Sequence, residues 1–343
     1  MPLAEVRDLY VRFATREATV YAVNGVGFTV RPGEVLCILG ESGSGKSVTL
    51  RALMHLLPAR RTQIRGSVTV EGQNVLGMPR RALRDLRGGL VAMIFQEPMT
   101  ALDPVYTVGQ QIGETIRRHT GCGREAARRR ALELLEMVRI PSAARRLDAY
   151  PHELSGGLRQ RVMIAMALSC SPRLLLADEP TTALDATVQV QVLILLRRLQ
   201  RELGMGMIFV THDLGVAAEI ADTVAVMYAG RIVESGPVGQ ILNAPAHPYT
   251  AGLLASTVHG QSRDRDIDAI AGSPPDMRRL PQGCSFAPRC PLRMAECRFA
   301  VPEPRFPVRG HMAACHAVAH SSPATQAAVT PTVAGSRATI SAR

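Results

Sequence analysis

The octet Gly40-Glu41-Ser42-Gly43-Ser44-Gly45-Lys46-Ser47 contains the only lysine of a chain that has 40 lysines and arginines together. Its spacing, G-x-x-x-x-G-K-S, is that of a phosphate-binding loop. Glycines let successive backbone N–H groups turn inward around the β- and γ-phosphates of a nucleotide, and the helix that follows offers its positive N-terminus. A compact ammonium fits inside such a loop, whereas guanidinium is broad, planar and forked, so Arg cannot take this one place. Ser47 would put its hydroxyl on Mg²⁺. Residues 35–39 read as a buried strand and 48–57 as a helix, the flanks that this motif requires.

Two further groups could act on the same phosphates, and a third could bind phosphates elsewhere. An apolar strand ends in Asp178-Glu179: Asp178 would hold Mg²⁺ through its water shell, and Glu179 could polarise an attacking water. His212 follows the next apolar strand, within reach of a γ-phosphate. In Leu154-Ser155-Gly156-Gly157-Leu158-Arg159-Gln160-Arg161, small residues lead into a helix expected over 161–168, a second anion-binding helix N-terminus. A single nucleotide needs one such cradle, so the second would address a nucleotide held by another subunit.

The elements that must position these residues follow a strand, helix, strand rhythm. Residues 6–13 and 19–30 alternate as an antiparallel hairpin, and 68–72 form a further strand and turn. The pattern is helical over 107–147, then buried strands at 174–178 and 207–210 flank a helix at 188–203. Residues 224–227 and 231–234 flank a tight turn. This is an α/β chain with a largely parallel sheet. Residues 258–283 read as a polar linker, 284–318 as a small Cys-rich module, and 319–343 as a disordered tail.

At 343 residues there is room for about two domains. No apolar run approaches the roughly 20 residues of a membrane span, and the N-terminus lacks a signal-peptide build. The net charge of +11 comes from Arg-rich composition, and Arg128-Arg129-Arg130 lies opposite the apolar face of Leu132, Leu135 and Val138, as a solvated face would. Trp is absent and aromatics make up 4% of residues, so stacking platforms for nucleic acid are missing. Cys37 and Cys170 read as small core residues, and Cys122 sits in a Gly-rich turn.

Together these motifs resemble, in order and spacing, the ATPase subunit of an ATP-binding cassette transporter. Gly40 to Ser47 correspond to the Walker A loop, Gln96 to the Q-loop, Leu154, Ser155, Gly156, Gly157 and Gln160 to the signature, Asp178 and Glu179 to the Walker B end, Asp185 to the D-loop, and His212 to the switch histidine. The resemblance implies a P-loop NTPase cassette over residues 1–257, with a mixed sheet, an antiparallel subdomain and a helical subdomain at about 97–165. It implies two cassettes closing head to tail on ATP, with Glu179 as general base, His212 on the γ-phosphate, and Gln96 beside Mg²⁺ reporting nucleotide state to the membrane subunits. Phe13 or Tyr21 is the expected adenine-stacking aromatic.

A finer resemblance, to the D-type ATPase of bacterial oligopeptide/dipeptide importers, rests on residues 95–104, on Ala246-His247-Pro248-Tyr249-Thr250, and on the Cys-rich end. Asp103 and Leu158 depart from the Asn and Met usual there. It implies a peripheral subunit on the cytoplasmic side of the inner membrane, with two permeases, a second, F-type ATPase, an extracytoplasmic solute-binding protein, and no nucleic acid. The same ATPase type also serves importers of nickel or other small solutes. Soluble cassettes of translation or repair usually carry two cassettes or a long coiled-coil insertion, and the signature argues against a P-loop kinase.

Cys284, Cys290, Cys297 and Cys315 are spaced too widely for a zinc knuckle of paired C-x-x-C type. Thiolates could still hold zinc or an iron–sulfur cluster and staple a segment with little core of its own, with His311 and His316 as substitute ligands. The D-type resemblance implies a [4Fe–4S] cluster on the four cysteines; zinc and unligated thiols are the alternatives.

Overall fold

Five strands with both faces buried form the centre of the molecule. The structure, a computed structural model, describes residues 1–97, 101–182, 184–256 and 270–319. Residues 98–100, Ala183 of the D-loop, residue 257 with the first part of the expected linker (258–269) and residues 320–343 of the expected disordered tail lie outside the described residues.

The N-terminal hairpin, β1 (Ala4–Ala14) and β2 (Thr19–Val30), forms as its alternation predicts. After β3 (Val35–Leu39) and α1 (Lys46–Leu53), β4 (Thr62–Val70) and β5 (Gln73–Asn74) complete an antiparallel sheet ordered β2-β1-β4-β5. Helix α1 stops short of the expected residue 57, and His55 adopts φ 51° just beyond it.

Helix α2 (Arg80–Asp85) leads to β6 (Val91–Ile94). The helical subdomain holds α3 (Val108–Thr120), α4 (Arg124–Met137) and α5 (Ala143–Arg146), and returns through α6 (Gly156–Ala167). Arg128, Arg129 and Arg130 pair with Asp148, Glu125 and Glu133 on the surface, so the arginine run is a solvated face. The chain continues through β7 (Leu174–Asp178), α7 (Ala186–Leu203), β8 (Gly206–Thr211), α8 (Leu214–Ile220) and β9 (Thr223–Tyr228).

Strands β6, β7, β8, β3 and β9 run parallel in that order. Their side chains alternate between two cores. Leu36, Ile38, Leu174, Leu176, Ile208 and Val210 face the antiparallel sheet and α1, while Cys37, Leu39, Leu175, Ala177, Met207 and Phe209 face the helices. Burial of both faces explains why these strands read as unbroken apolar runs. Their parallel direction sends their C-terminal ends, with the loops that follow, to one edge of the sheet.

The C-terminal segment departs from expectation. Strand β10 (Arg231–Pro237) pairs antiparallel with β9 and is followed by α9 (Val238–Asn243) and α10 (Pro248–Ala255). Then β11 (Arg305–Val308) and β12 (His311–Ala313) add to the same sheet, with Glu234 opposite Ala313 and the Ala314 N–H on the Val233 carbonyl at 2.8 Å. Residues 305–313 therefore extend the cassette sheet rather than stand apart from it; the open edge of β10 supplies the hydrogen bonds that this small segment lacks. A buried charge network seals the joint. Glu234, fully buried, accepts from Ala246 N–H at 2.6 Å and His247 N–H at 3.1 Å, and lies 2.6 Å from His311 Nε2.

His247 Nδ1 in turn accepts from Tyr249 N–H at 3.0 Å at the start of α10. Burial drives its pKa down to about 4, against the opposing pull of Glu234. A histidine with a depressed pKa contributes its full stability above its unfolded value, and loses it as pH falls through the window between the two values. The protein should therefore lose up to about 3 kcal/mol between pH 6.5 and pH 4 from this residue alone. Denaturant unfolding across that range checks it: His247→Asn, which keeps an acceptor at the cap, should flatten the slope, and an unchanged slope would refute the assignment.

Candidate active site

Lys46 opens α1 directly after Gly45, whose φ of 101° turns the chain out of the loop. A Cβ at Gly45 would stand 2.3 Å from the Ala22 carbonyl oxygen, so both the conformation and the space demand glycine. The Lys46 ammonium is 4% exposed and donates to the carbonyls of Gly40 at 2.7 Å and Glu41 at 2.9 Å. Burial lowers its pKa, and the charges of Glu179, Asp178 and Glu41 oppose that shift. Ser47 Oγ donates to Asp178 Oδ1 at 2.7 Å. Burial raises the Asp178 carboxyl, and the Ser47 bond pulls it back down. Two hard oxygen donors thus stand side by side at the loop mouth, a donor set that suits Mg²⁺.

Glu179 follows β7 with φ 46°, a left-handed conformation that a non-glycine residue adopts at a cost of about 1–3 kcal/mol. Its N–H remains on the sheet, donating to the Val210 carbonyl at 3.1 Å. The turn aims its carboxylate into a ring of polar groups. Oε2 accepts from Gln96 Nε2 at 3.2 Å and Thr182 Oγ1 at 3.0 Å, and lies 3.3 Å from His212 Nδ1, while Lys46 Nζ is 4.0 Å from Oε1. His212 is held between β8 and α8, whose N-cap Asp213 accepts from Gly215 N–H at 2.7 Å.

These residues border a cleft of about 600 Å³ lined by Gly40, Glu41, Ser42, Gly43, Gly45, Lys46, Ser47, Gln96, Glu179 and His212. Ser44 lies buried behind the loop. The other end of the cleft is apolar, formed by Val20, Ala22, Val48, Leu253 and Met277. Neither expected aromatic is part of this lining. Strand alternation presents Val20 and Ala22 to the cleft; Tyr21 instead lies under the Arg12 guanidinium at 4.9 Å, and Phe13 packs against the core of the antiparallel sheet. Met277 comes from the expected linker, and its carbonyl accepts the Tyr21 N–H at 2.9 Å.

The signature lies elsewhere. Ser155 caps α6, which begins at Gly156 rather than at residue 161, and its Oγ accepts from Leu158 N–H at 3.4 Å. A Cβ at Gly157 would stand 2.7 Å from Val188 Cγ1, so glycine lets α6 approach α7. Asp185 caps α7, accepting from Val188 N–H at 3.0 Å. Ser155, Gly156, Gly157 and Asp185 line a second cleft that shares no residue with the first. Leu154 and Gln160 are buried behind it.

Sequence patterns did not single out Thr182, Met277 or Leu253. Thr182 carries no motif of its own, and the apolar pair reaches the cleft only through tertiary packing.

The four clustered cysteines come into one region. Cys284 N–H donates to the Cys297 carbonyl at 2.9 Å, and the thiols of Cys284, Cys290, Cys297 and Cys315 lie within electrostatic range of one another. Burial raises the Cys284 and Cys315 thiols, and takes Cys290 to about 11. Among the described residues, no three Cys, His, Asp or Glu side chains converge as ligands of a metal ion.

Residues 23–182 match the family described as ABC transporter, and residues 233–297 match the oligopeptide/dipeptide transporter C-terminal region. The chain is 50% identical over 313 residues to the oligopeptide transport ATP-binding protein OppD of Salmonella typhimurium, covering 91% of this chain and 93% of OppD. It is equally 50% identical over 313 residues to a Brucella melitensis protein named for peptide import and ATP binding, covering 88% and 93% of the two chains. Among solved structures it resembles the dimeric ATP-binding cassette MJ0796 in a post-hydrolysis state bound to ADP and Pi, with a TM-score of 0.62 and 28% identity over 68% of this chain and 98% of that one.

A base bound at the apolar end would bury the Met277 thioether. Met277→Ala should weaken ATP and ADP binding alike, by about fivefold, the equivalent of roughly one lost side-chain contact. Equilibrium binding of the two nucleotides measures it, and unchanged affinities would remove Met277 from the site.

Proposed function

The chain belongs to the ATP-binding cassette family of transporter ATPases that carry the oligopeptide/dipeptide C-terminal region, and from that membership we propose that it hydrolyses ATP to drive import of di- and oligopeptides. The observation that carries the chemistry is the Glu179 carboxylate, turned by a positive φ into hydrogen-bond reach of Gln96, Thr182 and His212 beside the buried Lys46. The peptide substrate class is supported by the match of residues 233–297 and by the names of the relatives.

ATP lies with its base at Val20, Ala22, Leu253 and Met277 and its phosphates in the Gly40–Ser47 turn. Lys46 neutralises the β- and γ-phosphates from inside. Ser47 and Asp178, with Gln96 alongside, would hold Mg²⁺, which supplies charge neutralisation at the phosphate oxygens. Glu179 takes a proton from water as the water oxygen bonds to the γ-phosphorus, and the bond from that phosphorus to the β–γ bridging oxygen breaks to release ADP. His212 donates to the γ-phosphate oxygens, and the shared Gln96 contact couples the state of that site to the helical subdomain.

The second cleft, with Ser155, Gly156, Gly157 and Asp185, serves a nucleotide on another ATPase in a head-to-tail pair, and that subunit is of the F-type. Two permeases and an extracytoplasmic solute-binding protein complete the assembly, and this chain sits peripherally on the cytoplasmic face of the inner membrane. Among the described residues no helix is long and apolar enough to cross a membrane. Glu179→Gln should bind MgATP with near-normal affinity yet lower turnover of the assembled transporter by at least about a hundredfold. Turnover within a few-fold of the parent would sink the base assignment.

The four cysteines hold a [4Fe–4S] cluster in this reading. What supports it is that the four thiols lie in one region, within electrostatic range of one another, with the Cys284 N–H on the Cys297 carbonyl, and that Cys thiolates are the usual ligands of such a cluster. Protein purified without oxygen should contain about four iron and four sulfide per chain. A folded, colourless and iron-free product would count decisively against the cluster.

A further inference from the structure

Glu41, the second residue of the phosphate loop, is held at three points. Its carbonyl accepts from Lys46 Nζ at 2.9 Å, and its N–H donates to the Tyr249 hydroxyl at 3.0 Å. Its carboxylate takes a two-pronged grip from Arg289, with Nη1 to Oε2 at 2.8 Å and Nη2 to Oε1 at 3.1 Å. Two of the three points lie in the C-terminal third of the chain, more than 200 residues from the loop.

Arg289 is built for that grip. Its side chain is 6% exposed, and every edge of the guanidinium is used. Nε donates to the Ala271 carbonyl at 3.0 Å, Nη2 also to the Ile270 carbonyl at 3.2 Å, and Nη1 to the Tyr228 hydroxyl at 3.4 Å. Tyr228, Tyr249 and Phe286 pack ring against ring beneath it, with centroids 4.6 to 5.4 Å apart. A planar cation with five donors satisfies this set of acceptors; a point charge on a flexible stem does not.

The electrostatic need is visible in the same place. Glu41 lines the nucleotide cleft. An unpaired carboxylate there would repel the triphosphate that the loop exists to hold, and would do so in a poorly screened setting. We propose that Arg289 is a positioning residue for nucleotide binding: it cancels the Glu41 charge and, through Glu41, fixes the carbonyl that aims Lys46. The C-terminal segment thereby completes the phosphate site as well as the sheet. The proposal rests on reading the Lys46 loop as the ATP site.

The test measures MgATP affinity on the full chain, and KM and kcat in the assembled transporter. Parent protein that failed to bind MgATP would overturn the site reading itself; a parent that binds, with variants that behave as it does, would overturn only the role of Arg289. Arg289→Met should weaken MgATP binding roughly tenfold, raising KM with kcat largely kept, because a charge-assisted pair is lost while Glu179 is untouched. Adding Glu41→Gln to Arg289→Met should recover most of that affinity by removing the stranded carboxylate. A purely structural role for Arg289 would give no such rescue, and a double variant no better than Arg289→Met overturns the proposal. Should Arg289→Met not fold, Arg289→Lys carries the test, with affinity expected to fall about threefold because a single ammonium cannot span both carboxylate oxygens; parent-like affinity in Arg289→Lys would overturn it.

Discussion

A buried ammonium is the constraint from which the rest of this molecule follows. Lys46 gives up nearly all of its hydration, and the loss already pulls its pKa down. Two loop carbonyls and nearby carboxylates must replace the lost water, because a buried cation without partners costs several kcal/mol. Their placement dictates the loop. The backbone must fold back so that Gly40 and Glu41 offer their carbonyls to a side chain six and five residues on, and only glycine at 45 lets the chain leave without striking β2. The carboxylates come from β7, so β3 and β7 must end at one edge, which a parallel sheet ensures.

That logic explains what could be read from sequence and what could not. The phosphate loop, the Asp178-Glu179 strand end, His212 and the signature are local: each is a short segment whose chemistry is fixed by neighbours in sequence. The strands that carry them are buried on both faces, so their apolar runs stood out. Helix boundaries were less legible. The helix after the signature starts at Gly156, five residues before the expected position, because capping by Ser155 and close packing on Val188 admit glycines that a propensity argument would leave outside.

What the sequence could not supply is tertiary. Alternation along β2 does not say which face meets the cleft: Val20 and Ala22 line it, while Tyr21 lies against Arg12. Met277 and Arg289 lie in segments that read as linker and Cys-rich module. Nothing in a window around either residue points to a loop more than 200 residues away. The addition of β12 to β10 was hidden for a related reason: a three-residue edge strand has too short a pattern to register, and the partner of its buried His311, Glu234, lies far away in sequence on β10.

Charge around the cleft bears on the proposed pairing of two such subunits. Around the cleft the carboxylates of Glu41, Asp178 and Glu179 are met by the cations of Arg289, Lys46 and, beside Asp178, Arg51, so the side chains hold no surplus of positive charge before any nucleotide arrives. A triphosphate would add negative charge that they do not offset. Divalent metal would offset part of it. A second set of inward-facing N–H groups is the economical answer, because a helix N-terminus supplies positive potential without another side chain to desolvate. This chain has one, at Ser155 and Gly156, but its own fold holds that helix on a different cleft. Under the proposed head-to-tail pairing, each subunit would lend its helix N-terminus to the other's phosphates, which fits the separation of the two clefts. Closure of such a pair would then be driven by the nucleotide's own charge, and hydrolysis, which divides that charge between ADP and phosphate, would remove the reason for the pair to stay closed.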